Sequence, residues 1–174
     1  MKKDILIVFA VALALAVLIG GSNFQSVDEY YLVHIDDITE DSETVFIEIN
    51  CADILNHLDD LDPNLNSPEF VPENGVILPP TEYVLRPGDT VFDILSRTVR
   101  HNKIQMEYQG ADKNAFGSVY IQGINYLYEF SCGPSSGWIF TVNGEMPNRG
   151  CSTYKLSNGD RVSWIYSCSL DSVS

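Results

Sequence analysis

The chain has 174 residues, with 24 acidic against 10 basic side chains and a net charge of −14. That length suits one domain plus accessories. That charge excludes a nucleic-acid binder, because phosphate recognition needs a basic patch.

Lys2 and Lys3 precede an unbroken apolar run from Ile5 to Ile19. As a helix this run is about 22 Å long, short of the roughly 30 Å hydrocarbon core of a bilayer. A positive start and an apolar stretch of this length describe a signal peptide over residues 1–22, with Gly20-Gly21-Ser22 as a cleavage region. An N-terminal membrane anchor with the lysines inside also fits. Ser22 stands where a lipidated cysteine would be needed, so a lipid anchor is excluded. Either way the rest of the chain is expected outside the plasma membrane, secreted or held on its outer face. Residues 23–43 carry Asp36, Asp37, Glu40, Asp41 and Glu43 and read as an acidic linker.

The domain proper spans residues 44–174. Val45, Ile47 and Ile49 alternate as in a strand with one buried face. Ala52 to Leu61 reads as a short helical turn. Pro63, Pro68, Pro72, Pro79 and Pro80 then punctuate a long surface crossover, since proline neither donates to a ladder nor continues a helix. A strand follows at Glu82–Arg86 and a turn at Pro87-Gly88-Asp89. Asp89 or Thr90 caps a helix whose Val91, Ile94, Leu95 and Val99 lie on one face. Further strands are expected at 104–108, at 119–130 with a break at Gly123, at 138–142, at 154–156 and at 161–166.

One helix among many strands is an α+β pattern. A β-grasp-like mixed sheet fits, with the first and last strands parallel at its centre. Four cysteines without a CxxC pair argue against zinc or redox chemistry. In an exported chain they read as two disulfides, with three possible connectivities. On the β-grasp arrangement, Cys51 and Cys168 end the two central strands at one edge, which favours Cys51–Cys168 and Cys132–Cys151.

Four segments carry a family resemblance: GDTVFDIL (88–95), YIQGIN (120–125), GWIFTVNG (137–144) and GDRVSWIY (159–166). They resemble the bacterial DUF4430 domain, which is similar to the C-terminal β-domain of transcobalamin and intrinsic factor. The resemblance runs from Thr44 to Leu170. It implies a soluble-ligand-binding β-grasp module, with a corrinoid such as cobalamin as a possible ligand and no required cofactor.

Gly137, Trp138, Phe140, Asn143 and Gly144 form the candidate ligand-binding set. Trp138 offers a rigid face for a flat ligand; its competing role is core packing, the role also expected of Trp164. Asn143 and Gly144 open an exposed loop through Asn148, whose amides suit a ligand's edge or simple turn chemistry. Tyr120, Tyr126, Tyr128 and Tyr154 line a groove or serve as sheet residues. Asp60, Asp62, Asn64 and Asn66 follow calcium-loop spacing, but Leu65 replaces the turn glycine and Val71 the bidentate glutamate, so no metal site is expected. His34, His57 and His101 are scattered, and no catalytic motif is present. The expected function is therefore non-enzymatic: capture of a soluble small ligand. The alternative is a structural or adhesive surface module that binds extracellular protein or glycan. Membrane contact is expected only through the N-terminal segment.

Overall fold

In the computed structural model, which describes residues 36–114 and 117–169, strand β1 (Thr44–Asn50) buries Val45, Ile47 and Ile49 completely. Strand β7 (Arg161–Ser167) runs parallel beside it, in register from Phe46 opposite Arg161 to Asn50 opposite Ile165. Strand β2 (Val76–Val84) pairs antiparallel on the other side of β1, and β6 (Gly137–Val142) pairs antiparallel with β7. The order is β2-β1-β7-β6, so the expected parallel pair holds the centre. A second, antiparallel sheet comprises β3 (Met106–Gln109), β4 (Tyr120–Ile124) and β5 (Leu127–Tyr128), in that order. The fold is α+β: one α-helix with mixed sheets. The N-terminal run and most of the acidic linker lie outside the described residues.

Strand periodicity explains the inner face of the large sheet. Ile47 lies level with Val162 and Ile49 with Trp164; across β7, Val162 faces Val142, Trp164 faces Phe140 and Tyr166 faces Trp138. A continuous apolar surface results, aliphatic over β1 and aromatic over β6. Burial of such side chains contributes about 1.5–3 kcal/mol each. Helix α1 (Val91–Asn102) covers the β1 side, burying Val91, Ile94, Leu95, Thr98 and Val99.

Thr90, not Asp89, caps α1. Its hydroxyl accepts from the Asp93 amide while the Asp93 carboxylate accepts from the Thr90 amide, a reciprocal capping box. Lys103 ends the helix in the left-handed conformation, at φ 56°. Asp89 is spent elsewhere. Its carboxylate takes both arms of the Arg97 guanidinium, at 3.0 and 2.7 Å, and the Arg86 amide at 2.7 Å.

Several sequence expectations are corrected. Pro79 and Pro80 lie within β2, not in a loop. β2 is an edge strand, and its register against β1 slips between Thr81 and Leu78, so both prolines sit at an edge bulge where their missing donors cost nothing. The break in 119–130 falls at Asn125-Tyr126, both with positive φ in a tight turn, rather than at Gly123. Gly123 is inside β4, where a Cβ would stand 2.7 Å from the Tyr128 ring. Residues 154–156 make no strand. They form a single bridge, Lys155 with Thr90, and tie to the helix start through Val91 N–H to Tyr154 O and Leu156 N–H to Asp89 O. The turn at Ala52–Asn56 is a short 3-10 helix that buries Ile54 but leaves Leu58 exposed.

Neither expected disulfide is present: all four thiols are free and buried. The register explains the first miss. Asn50 lies level with Ile165, so Cys51 lies level with Tyr166 and Cys168 overshoots it by two residues, about 6.6 Å of strand. The second miss reflects loop placement. The Cys151 thiol donates to Val119 O at 3.3 Å, whereas the Cys132 thiol donates to His57 O at 3.6 Å and has Cys168 as its sulfur neighbour.

Candidate ligand-binding site

Where β4 of the small sheet meets β6 of the large one, the aromatic end of the inner face is incompletely covered. A cavity of about 580 Å³ lies there. Its walls include Trp138, Phe140 and Trp164 from the large sheet and Tyr120 and Ile121 from β4, closed by segments 118–119 and 147–153.

Each sheet residue is set by its neighbours. Trp138 is 8% exposed; its indole N–H donates to Leu127 O at 2.7 Å, and its ring meets Tyr166 edge-on at 5.3 Å. Phe140 is half-buried and lies tilted against Trp164, with ring centroids 5.2 Å apart. The Trp164 ring is buried, and its Nε1–H has no hydrogen-bond partner among the described residues. The Tyr120 hydroxyl donates to Glu129 at 2.6 Å, and burial together with that bond pushes it up to about 12.

The covering segment is held by two serines. The Ser118 and Ser152 hydroxyls lie 2.9 Å apart, and the Ser152 hydroxyl also accepts from the Val119 amide. Gly150 passes directly over Ser118, so that any Cβ there would overlap the serine's Oγ and Cβ. Only glycine lets this segment approach so closely.

Of the five residues in the candidate set, Trp138 and Phe140 line this cavity. Gly137 is buried in β6 opposite Ser167. Asn143 and Gly144 lie outside the lining, in the turn after β6. Asn143 has φ 54°, donates to Asp160 at 2.8 Å and accepts from the Arg161 amide at 2.9 Å, so its amide is occupied by turn chemistry. Of the tyrosines, Tyr120 lines this cavity and Tyr154 an adjoining concavity with Met146 and Arg149. Tyr126 meets Phe70 edge-on, and the Tyr128 hydroxyl is engaged by Glu107 and Gln105. Sequence reasoning missed Arg149. The available signal was a cation between Asn148 and Gly150 in so acidic a chain.

Burial also sets how the domain responds to alkali. It pushes Cys51 up to about 12 and Cys151 to about 11, from about 9.0 for a free thiol. Cys132 and Cys168 are raised by burial too. Each raised value favours the protonated native form. The stability this contributes is complete below pH 9 and is lost as pH rises through 11 to 12. The urea midpoint should therefore fall between pH 9 and 12, and Cys51→Ala should remove part of that fall. A midpoint unchanged to pH 11 would count against thiol burial as drawn.

No curated protein matches the sequence. Among solved structures, haptocorrin in complex with Cbi is similar, with 13% identity over 76% of this chain and a TM-score of 0.49. The match spans 27% of the haptocorrin chain, about a quarter of its length. A protein of Ruminococcus gnavus ATCC 29149, named as a candidate metal-binding protein, is similar at 10% identity, with 71% of this chain and 95% of that one covered and a TM-score of 0.42. The matched family model begins at Gly88, in the turn that precedes α1, and runs to the last residue of β7. Residues 88–167 match the model of the DUF4430 family, a domain of unknown function.

Proposed function

We propose that this chain is an exported, non-enzymatic ligand-binding module, a β-grasp-like domain that captures a soluble small molecule. The carrying observation is the cavity of about 580 Å³ beside Trp138, Phe140 and Trp164. Its size falls within the 300–1,000 Å³ typical of small-molecule sites, as does its plan of apolar walls with few polar groups. The aromatic wall is rigid: each ring is braced by a neighbour across the strand pair, so little side-chain freedom is lost on binding.

A corrinoid is the first ligand to test, because the family resemblance points to it. Titration calorimetry of the full chain with cobalamin and with cobinamide should give saturable heats. Phe140→Ala should weaken binding by about tenfold, the worth of one lost aromatic contact. Gly150→Ala should weaken it as well, by displacing the covering segment. Silence with both corrinoids at high micromolar concentration would end the corrinoid version. Binding indifferent to both substitutions would move the ligand away from this cavity.

A further inference from the structure

In a chain with 24 acidic residues, no residue that lines the cavity is acidic, and the one charged residue there is Arg149. Arg149 is exposed and makes no ion pair or hydrogen bond among the described residues. The hydroxyl donors nearby are occupied. The Ser118 and Ser152 hydroxyls bond each other, the Tyr120 hydroxyl is tied to Glu129, and the Thr153 hydroxyl donates to Gly150 O. The Trp138 N–H is satisfied by Leu127 O. What remains unspent is the guanidinium of Arg149, the amide of Asn148 and the Trp164 N–H, which is buried without a partner. Two of these three groups can only donate. A cation would find aromatic faces in the cavity. It would also meet Arg149, with no carboxylate in the lining to offset the repulsion. A neutral polyol would bring no charge to set against that of Arg149.

Resting on the reading that this cavity is the ligand site, we propose that it selects a flat aromatic compound carrying an anionic group, a carboxylate or its equivalent. The rings lie against Phe140 and the two indoles, and the anion faces Arg149 and Asn148. Arg149 thus sets specificity, while the aromatic wall supplies the bulk of the contact. A guanidinium suits a carboxylate because its planar fork matches both oxygens.

The test uses three probes of one shape on the full chain: 2-naphthoate, 2-naphthamide and 2-naphthylmethylammonium. Such fragments should bind with dissociation constants of about 0.1–1 mM. Calorimetry should show the carboxylate binding about fivefold tighter than the amide, the scale of a partly exposed ion pair, and the ammonium binding weakest. Arg149→Gln, an exposed change with no partner to lose, should erase the preference for the carboxylate over the amide. Raised salt should do the same. Equal affinity for carboxylate and amide, a preference for the ammonium, or an anion preference that survives Arg149→Gln would each overturn the proposal while leaving the cavity as a binding site. No binding of any probe would overturn the site and the proposal together.

Discussion

Asp89→Ala is expected to cost about 3–5 kcal/mol of folding stability, the penalty of stranding a buried charge. Asp89 is 8% exposed, and the Arg97 side chain beside it is little more accessible. The carboxylate takes both arms of the Arg97 fork and the Arg86 amide; Arg97 in turn donates to Val84 O at 2.7 Å. The Asp89 carbonyl accepts from the Leu156 amide. One residue therefore joins the end of β2, the turn at 87–88, helix α1 and the segment that follows Cys151. Its loss leaves the Arg97 guanidinium in a poorly hydrated place without the carboxylate that faces it. Urea unfolding should show the loss directly, and thermal unfolding should drop by on the order of 10 °C. Asp89→Asn keeps the shape and part of the bonding and should cost less. Changing Asp89 and Arg97 together to leucine should cost less than the sum of the single changes, because no unpaired charge remains. A single-mutant loss below about 1 kcal/mol, or strict additivity in the pair, would show that this ion pair does not hold the helix.

Mild oxidation should join Cys132 to Cys168 and leave Cys51 and Cys151 as thiols. The Cys132 and Cys168 thiols are neighbours that perturb each other's titration, whereas Cys151 donates to the Val119 carbonyl on the wall of the cavity. Two thiols would surrender two protons and two electrons to an added disulfide such as oxidised glutathione. Burial keeps both thiols protonated, and the thiolate is the attacking form. Cross-linking should therefore be slow at neutral pH and accelerate as pH rises. The closed loop of about 35 residues is worth about 4 kcal/mol on the chain-entropy account, so the oxidised form should resist urea markedly better. Peptide mapping after alkylation without reductant identifies the link. Recovery of Cys51–Cys168 or Cys132–Cys151 instead would mean that the thiol neighbours seen here are not those that react.

Local chemistry wrote much of this fold into the chain. The alternation at 45–49 and at 162–166 marks two strands with one buried face each, because successive side chains point to opposite sides. Thr90 with Asp93, followed by Val91, Ile94, Leu95 and Val99, marks one capped amphipathic helix, since cap and stripe are both short-range properties. Trp138 and Phe140 were legible as candidate contacts because aromatic residues beside a glycine-rich turn stand out in a line of text. The turn role of Asn143 was legible for the same reason, as a residue that tolerates positive φ.

Everything that depends on register or on distant partners required the tertiary structure. Pro79 and Pro80 look like loop residues until β2 proves to be an edge strand with a bulge. Asp89 looks like a helix cap until Arg97, two turns on, is seen to claim it. Cys168 looks level with Cys51 until the parallel register places it two residues beyond. Arg149 belongs to no motif and gains its role from the cavity that β4, β6 and the covering segment make between them. Periodicity and capping are set by neighbours along the chain, so one sequence suffices to read them. Sulfur partners, buried ion pairs and cavities are set by which strands lie side by side and at what offset, and only the folded chain decides that.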